Sequence, residues 1–563
     1  MADGTAFGRS ALGRPNERRA LVLFVVLLLA LSVAPYAVAW HASPAGWTYS
    51  GSSEASLDDY PTYLAKMRAG ARGEWTYRSP YAPEVGETIQ VRPFYAALGA
   101  LSSLFVERSW LGYHAARLLM GALCLWLVFR VASAVSHNGV ETWAAFALAT
   151  VGSGVGWWVG REGPRIAWSY DLWVPELNVF HSLLTNPHFP LSIVLILSTL
   201  IGVAGTLETG RLRHAFLGGA ALSFLSLIHP YDDFVAVAAL VLYCGVALAV
   251  GRHGLRQVAA AALAFSLTAL PGVAWMTASY WTDASLASMG NAQPVGPVWR
   301  VLSGLGLLIP MCAIGLRTLA ARGPLGGLLA AWVVAPVLLM LLPFEFPRRM
   351  VGGWHVPIGI ASGLGLALSA AVLARKATPR AAGIATVAVV GLASLSTLDI
   401  TLRQIQNFGD PGEKLFPIHL PPDLLETFAW LHENASARDV VLAPYGPSNW
   451  LPVYTDLCAY FGHWAEAPDR RAREAARDDF YMGRGDAASR VKFLRENRIE
   501  WILDGPLFRQ RGYVPIDPGR IPGARVVHRA GGIEVLYVGT LRAGQENPPV
   551  APLERRDPVI MLP

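Results

Sequence analysis

"LVLFVVLLLALSVAPYAVAW", residues 21–40, carries no charged side chain. A helix of about twenty apolar residues is what crossing the roughly 30 Å hydrocarbon core of a bilayer requires. Soon after it comes "SLDDYPTYLAKMRAGARGEW", residues 56–75, where two adjacent carboxylates, Asp58 and Asp59, lead into aromatics and cations. Like charges side by side repel, so a loop gains nothing from them unless they are used. The first stretch sets the class of the molecule, and the second raises the question of its chemistry.

The rest of the chain repeats the first signal. Of its 563 residues 53% are hydrophobic and 15% charged, with mean hydropathy +0.37, against roughly 25% charged in soluble domains. Apolar runs predict eleven spans, near 20–40, 111–135, 141–160, 188–206, 214–229, 233–250, 256–277, 298–317, 324–343, 354–373 and 380–398. The segment 93–107 is too short to cross and is expected to lie in the interface. The four cysteines show neither CxxC spacing nor a disulfide framework. The net charge of +6 belongs to the loops and does not point to nucleic acid.

Arg14, Arg18 and Arg19 precede the first run, and the connections at 208–214, 251–257, 317–323 and 374–380 are short and basic. Basic loops stay in the cytoplasm, so the N-terminus is expected inside and the C-terminus outside a plasma (inner) membrane. Ala37-Val38-Ala39 resembles a signal-peptidase site; cleavage there would leave the orientation unchanged. The opposite loops hold Asp58 and Asp59, then 161–190, "HPYDD" (229–233), "YWTDAS" (280–285) and "FEFPRRMVGGWH" (344–355). Acidic, aromatic and histidine residues thus gather on the extracytoplasmic side.

The expected organisation is a cytoplasmic tail (1–19), a membrane domain (20–398) that includes a first external loop (41–110), and an extracytoplasmic domain (399–563). In the last of these, "PPDLLETFAWLHENASA" (421–437) has helical spacing, and helices near 468–481 and 486–497 alternate with the apolar runs "DVVLAPY", "EWILDG" and "IEVLYVG". This predicts a small α/β domain with a mostly parallel sheet. No GxGxxG or P-loop motif suggests a nucleotide.

Nucleotide sugars stay in the cytoplasm, so a sugar transferred outside arrives on a polyprenyl phosphate. Transfer needs a base for the acceptor hydroxyl and positive charge for the departing phosphate. Asp58 or Asp59 fits the first role. Arg348 and Arg349 fit the second, through paired hydrogen bonds from guanidinium. Glu176, His188, His229, Asp232, Asp233 and His355 complete the candidate substrate-binding set.

With its acidic "LDDY" after the first span and its outer C-terminal domain, the chain resembles the GT-C superfamily of lipid-linked-sugar glycosyltransferases. The stretch "LPVYTDLCAYFGHWAEAPD" (451–469) is similar to one in bacterial members. The resemblance implies an inverting transfer from polyprenyl-phosphate sugar to a glycan, lipid or protein acceptor. It also implies a first-loop acid acting as base or metal ligand, which carries onto Asp58 and Asp59. No cofactor is named by the residues; a divalent cation, Mg or Mn, is the open option, with Asp58, Asp59 and Glu176 as candidate ligands. The "WWDYG" signature of oligosaccharyltransferases is absent, "SYDLW" (169–173) being the nearest string, which argues against transfer to asparagine.

Plainer readings stand beside these. Asp58 and Asp59 also suit a helix cap. His181 and His188 suit loop anchors, Arg348 and Arg349 snorkelling anchors, His463 and Glu466 the shaping of the outer domain, and the tryptophans of 157–173 an interfacial belt. Rival functions are a transporter or flippase, which calls for mid-membrane charges and broken spans in both halves, and a non-catalytic envelope assembly factor.

Overall fold

The computed structural model describes residues 15–83, 88–89, 93–105, 108–160, 167–282, 292–410, 412, 415–510 and 512–539. Arg14, residues 161–166 and residues 283–285 of the expected outer loops lie outside the described residues. The chain divides into two compact units. One contains Met1–Ala37, His114–Thr277 and Ala292–Asn407; the other contains Val38–Tyr113, Ala278–Asn291 and Phe408–Pro563. The first external loop, grouped on sequence with the spans, therefore shares its unit with the C-terminal domain. Pairing of Thr48 with Leu420 and of Tyr49 with His419 ties the two segments together.

The first unit is helical, and the chain is a multi-pass membrane protein. Among the described residues seven helices are long and apolar enough to cross a bilayer, or nine if each of two bent pairs counts as one span. Gly306, at φ +47, separates Val298–Leu305 from Leu308–Ala320, which meet at 72°. The other pair, Pro379–Ala393 and Leu395–Gly409, bends by 44°. Two of the eleven expected spans are shorter helices. Gly139–Thr150 has 12 residues and stops before the Gly-Ser-Gly of 152–154, and Arg213–Ile228 has 16. Each is too short to cross alone.

Lipid gives helices no hydrophobic reason to associate, so close backbone contact has to do it. His355–Lys376 provides that contact. A Cβ on Gly359 or Gly363 would strike the backbone of Ala149 or Ala145, and one on Gly365 or Gly315 would strike the helix facing it. This i, i+4 glycine spacing holds three helices together directly behind the Arg348–Arg349 turn.

The second unit contains a five-stranded sheet ordered Cys458–Ala459, Val440–Leu442, Ile499–Asp504, Ile533–Tyr537, Arg525–Ala530. Its first two pairings are parallel and its last two antiparallel, so the sheet is mixed, not mostly parallel. A two-residue Gly531-Gly532 turn, with Gly531 at φ +52, folds the last two strands into a hairpin and so fixes their antiparallel pairing. The buried strand Ile499–Asp504 sits at the centre. Beside the sheet, the first-loop helix Asp59–Ala71 crosses Phe94–Ser102 so closely that a Cβ on Gly70 or Gly99 would lie 1.9 Å from a backbone oxygen.

Candidate functional site

In the membrane unit, Pro347 opens a short 3-10 turn, Pro347–Val351, that delivers Arg348 and Arg349. Its exit is fixed by Gly353, at φ +62, whose N–H donates to the Glu176 carbonyl at 2.9 Å. Glu176 is 4% exposed, and a single oxygen, Oε1, accepts from Nη1 of Arg348 at 3.2 Å and from Nη1 of Arg349 at 3.0 Å. Arg348 also donates from Nε to Gln293 Oε1 at 3.0 Å and stacks over Trp173, 4.8 Å from the ring centroid. Arg349 lies 5.6 Å from the Tyr231 ring centroid. Burial would raise the Glu176 pKa, but Arg348 and then Arg349 outweigh it and hold the carboxyl below its ordinary value.

"HPYDD" packs against the same turn. His229 Nδ1 is 2.9 Å from Asp232 Oδ2, both residues are 2% exposed, and the His188 ring lies 5.7 Å from that of His229. Gly352 approaches so closely that a Cβ there would sit 1.9 Å from Asp232 Oδ1. The structure therefore gathers Glu176, Arg348, Arg349, His188, His229 and Asp232. His355 is not among them; it is fully buried in the helix packing, with Nδ1 3.3 Å from the Ala149 carbonyl. Asp233 is half-buried one residue beyond Asp232.

The two-pronged phosphate grip expected of the arginines is only partly available. Arg348 is already bound on several sides, with 8% of its side chain exposed, whereas Arg349 shows 21%. Gln293, an amide in an irregular loop, carries no sequence signal; Trp173 falls among the tryptophans of 157–173 that suit an interfacial belt, and Tyr231 lies within "HPYDD" with no role of its own in the sequence. Within "SYDLW", Asp171 is fully buried. It accepts from Ser169 Oγ at 2.6 Å and from the Gly156 N–H at 3.2 Å; burial raises its pKa and these bonds oppose it. That is the environment of a structural carboxyl.

In the second unit, Asp58 stands at the N-cap position of Asp59–Ala71, but its backbone is α-helical and its side chain makes no capping hydrogen bond. Asp58 is held by its backbone instead, its carbonyl accepting from Asn449 Nδ2 at 2.8 Å. The carboxylates remain at the surface. Asp58 is exposed, and 40% of the Asp59 side chain is accessible. Asp59 Oδ1 lies 2.9 Å from Nε2 of His463, a residue expected only to shape the domain. The Tyr445 phenol is raised well above its ordinary pKa, first by burial and then by Asp58 and Asp59. The pair's negative potential thus reaches a neighbouring hydroxyl.

The candidate cation ligands do not compose a ligand set. The Glu176 oxygen already holds two guanidiniums, Asp59 meets a histidine, and among the described residues no three His, Cys, Asp or Glu side chains converge.

No protein-family model matches the chain, and no curated protein does. Solved structures do. The apo oligosaccharyltransferase of Archaeoglobus fulgidus superimposes with TM-score 0.54 at 13% identity, over 86% of this chain and 69% of its own. The same organism's enzyme AglB, in complex with an inhibitory peptide and a dolichol-phosphate, gives 0.51 at 12% identity, over 87% and 70%. ArnT from Cupriavidus metallidurans in the apo state gives 0.49 at 14%, over 93% and 100%. The chain shares its fold with these oligosaccharyltransferase structures.

Proposed function

We propose that this chain is an extracytoplasmic glycosyltransferase that takes its sugar from a polyprenyl-phosphate carrier. The observation that carries the reading is the Asp58–Asp59 pair, two accessible carboxylates at the start of one helix, Asp58 standing at its N-cap position without a side-chain capping hydrogen bond. A carboxylate within reach of solvent and of an incoming hydroxyl is the kind of group that accepts its proton as general base. In the proposed step the acceptor oxygen forms a bond to the anomeric carbon as its proton passes to Asp58 or Asp59. The bond from that carbon to the phosphate oxygen breaks with inversion, and its electron pair leaves on the polyprenyl phosphate.

In the membrane unit, Arg349 is assigned to the lipid phosphate, with Arg348 and Glu176 holding it in place. A fold shared with an enzyme solved with a dolichol-phosphate supports a lipid-phosphate donor. Transfer to asparagine is disfavoured, because Asp171 of the string nearest "WWDYG" is used structurally. Basic cytoplasmic loops place residues 399–563 and both sites outside.

A transporter remains the rival, since two bent helix pairs are present. Both fall between residues 298 and 409, not at matching places in the two halves as inverted-repeat transporters have them. The test is to incubate the purified full-length protein with a polyprenyl-phosphate sugar and measure release of polyprenyl phosphate. Release dependent on acceptor supports the transferase. Donor that stays chemically intact while crossing a vesicle bilayer overturns it.

A further inference from the structure

Along the first-loop helix, Asp59, Thr62 and Lys66 fall at i, i+3 and i+7, so they share one face. From Thr62 onward that face becomes the wall of a cleft of about 620 Å³ lying wholly within the second unit. Lys66, Arg68 and Arg72 project from the helix, and Arg78 and Arg438 join them from the loops. Glu74, Asp456 and Glu466 line the same cleft, leaving an excess of two positive charges over negative. From Asp59 to Arg72 the helix advances about 20 Å, so the cleft leads away from the proposed base for the length of an extended chain.

Its chemistry differs from that of a hydrophobic pocket. Lys66 bonds Glu466 Oε1 at 2.6 Å and lies 5.0 Å from the Tyr77 ring centroid, while the Tyr77 hydroxyl donates to the other Glu466 oxygen. Asp456 draws in both Arg68 and Arg72. Fixed carboxylates, fixed guanidiniums and one tyrosine ring together offer acceptors and donors at set positions, which is what a polyhydroxylated ligand needs. Arg438 adds a further mark. It is a non-glycine residue at φ +71, tied by its N–H to the Asp456 carbonyl at 2.8 Å. Left-handed backbone at a bulky residue is costly and tends to occur where surroundings impose it for use.

We infer that this cleft binds the acceptor as an anionic glycan, a saccharide chain bearing carboxylate or phosphate groups, laid along the helix with its reacting hydroxyl toward Asp59. The inference rests on the transferase reading for its orientation, and its test does not. Binding is measured on the full-length purified protein without donor, using labelled galacturonate hexasaccharide, a phosphorylated mannose oligosaccharide and neutral maltohexaose. At least one anionic probe is expected to bind and to weaken as salt rises, and the neutral probe to bind more weakly. The probe that binds tells carboxylate from phosphate. Arg78→Gln with Arg438→Gln removes both charges while keeping a polar amide at each position, and is expected to cut that affinity about tenfold, roughly the loss of one charge-assisted contact, with an unchanged thermal transition. Equal binding of neutral and anionic probes, or no binding by any, overturns the proposal even where donor is consumed. Anionic binding by a protein that consumes no donor leaves the cleft standing and removes the transferase.

Discussion

Glu176 in the membrane unit is 4% exposed and holds two guanidiniums on one oxygen; Asp59 in the second unit has 40% of its side chain accessible and lies beside His463. Both are carboxylates with cationic or ionisable partners, and a sequence shows no difference between them. Burial decides what each can do. A buried carboxylate must be neutralised by partners that are themselves fixed, which makes the cluster a rigid electrostatic frame. A surface carboxylate is within reach of an incoming hydroxyl and its proton. In the proposed reading the first cluster positions and the second moves the proton.

The largest effect expected is on the frame. Removing the Glu176 charge leaves two guanidiniums facing each other in a buried site, so we predict that Glu176→Gln costs about 3–5 kcal/mol of stability, read as the thermal transition in detergent. Because its partners hold the Glu176 pKa below the ordinary value near 4.3, the stabilisation is complete above that pH. It is lost as pH falls through the lower value of the folded state. Wild type should therefore weaken more steeply on acidification below about pH 4 than Glu176→Gln, which retains only the contribution of other paired carboxylates such as Asp456. A variant as stable as wild type at neutral pH would break the comparison.

Next is chemistry. Asp58→Asn or Asp59→Asn is expected to lower turnover roughly a hundredfold, the usual scale for loss of a general base, with an unshifted thermal transition. Asparagine caps as well as aspartate, so an effect on turnover alone separates the two roles. Parent rates in both variants would return the pair to structure.

The sequence carried much of this and lost some of it for identifiable reasons. Long uncharged runs betray spans because lipid leaves the backbone no partner but itself, and the helices at 16–41, 109–134 and 188–209 lie where those runs do. Length misled at 141–160, where Gly152 and Gly154 end the helix early. The Gly531-Gly532 pair is a turn signal between two apolar runs, and the alternation of helix and strand around it points to a parallel sheet instead. The Arg348–Glu176 contact spans 172 positions, so no local pattern could reveal it. His463 meets Asp59 across 404 positions for the same reason.

Within the frame the two arginines should separate. Arg349→Ala is predicted to weaken donor binding about thirtyfold, near 2 kcal/mol for a lost charge-assisted hydrogen bond, with little change in folding. Arg348→Ala, which leaves Glu176 and Gln293 short of a partner, should lower the thermal transition instead. Donor affinity untouched in Arg349→Ala would reduce the turn to a membrane anchor.

The smallest effect concerns His463. It is 4% exposed while its partner Asp59 reaches solvent, so the rigid member of the pair is the histidine. With the Nε2 tautomer it donates to Asp59, so the role proposed for it is to aim the carboxylate. A hydrogen bond to a charged group contributes about 1.5 kcal/mol at the low end, which is roughly tenfold in rate. We predict that His463→Ala lowers kcat about tenfold and leaves donor KM nearly unchanged. His463→Gln, whose amide can still donate, should recover most of that loss. A purely structural histidine would instead lower the thermal transition in both variants and gain nothing from glutamine. If His463→Ala and Asp59→Asn are combined, the loss should barely exceed that of Asp59→Asn alone, because the histidine acts only through the carboxylate it orients. Additive losses would mean that His463 serves something other than Asp59, and would weaken the reading of this cluster as the place where the proton moves.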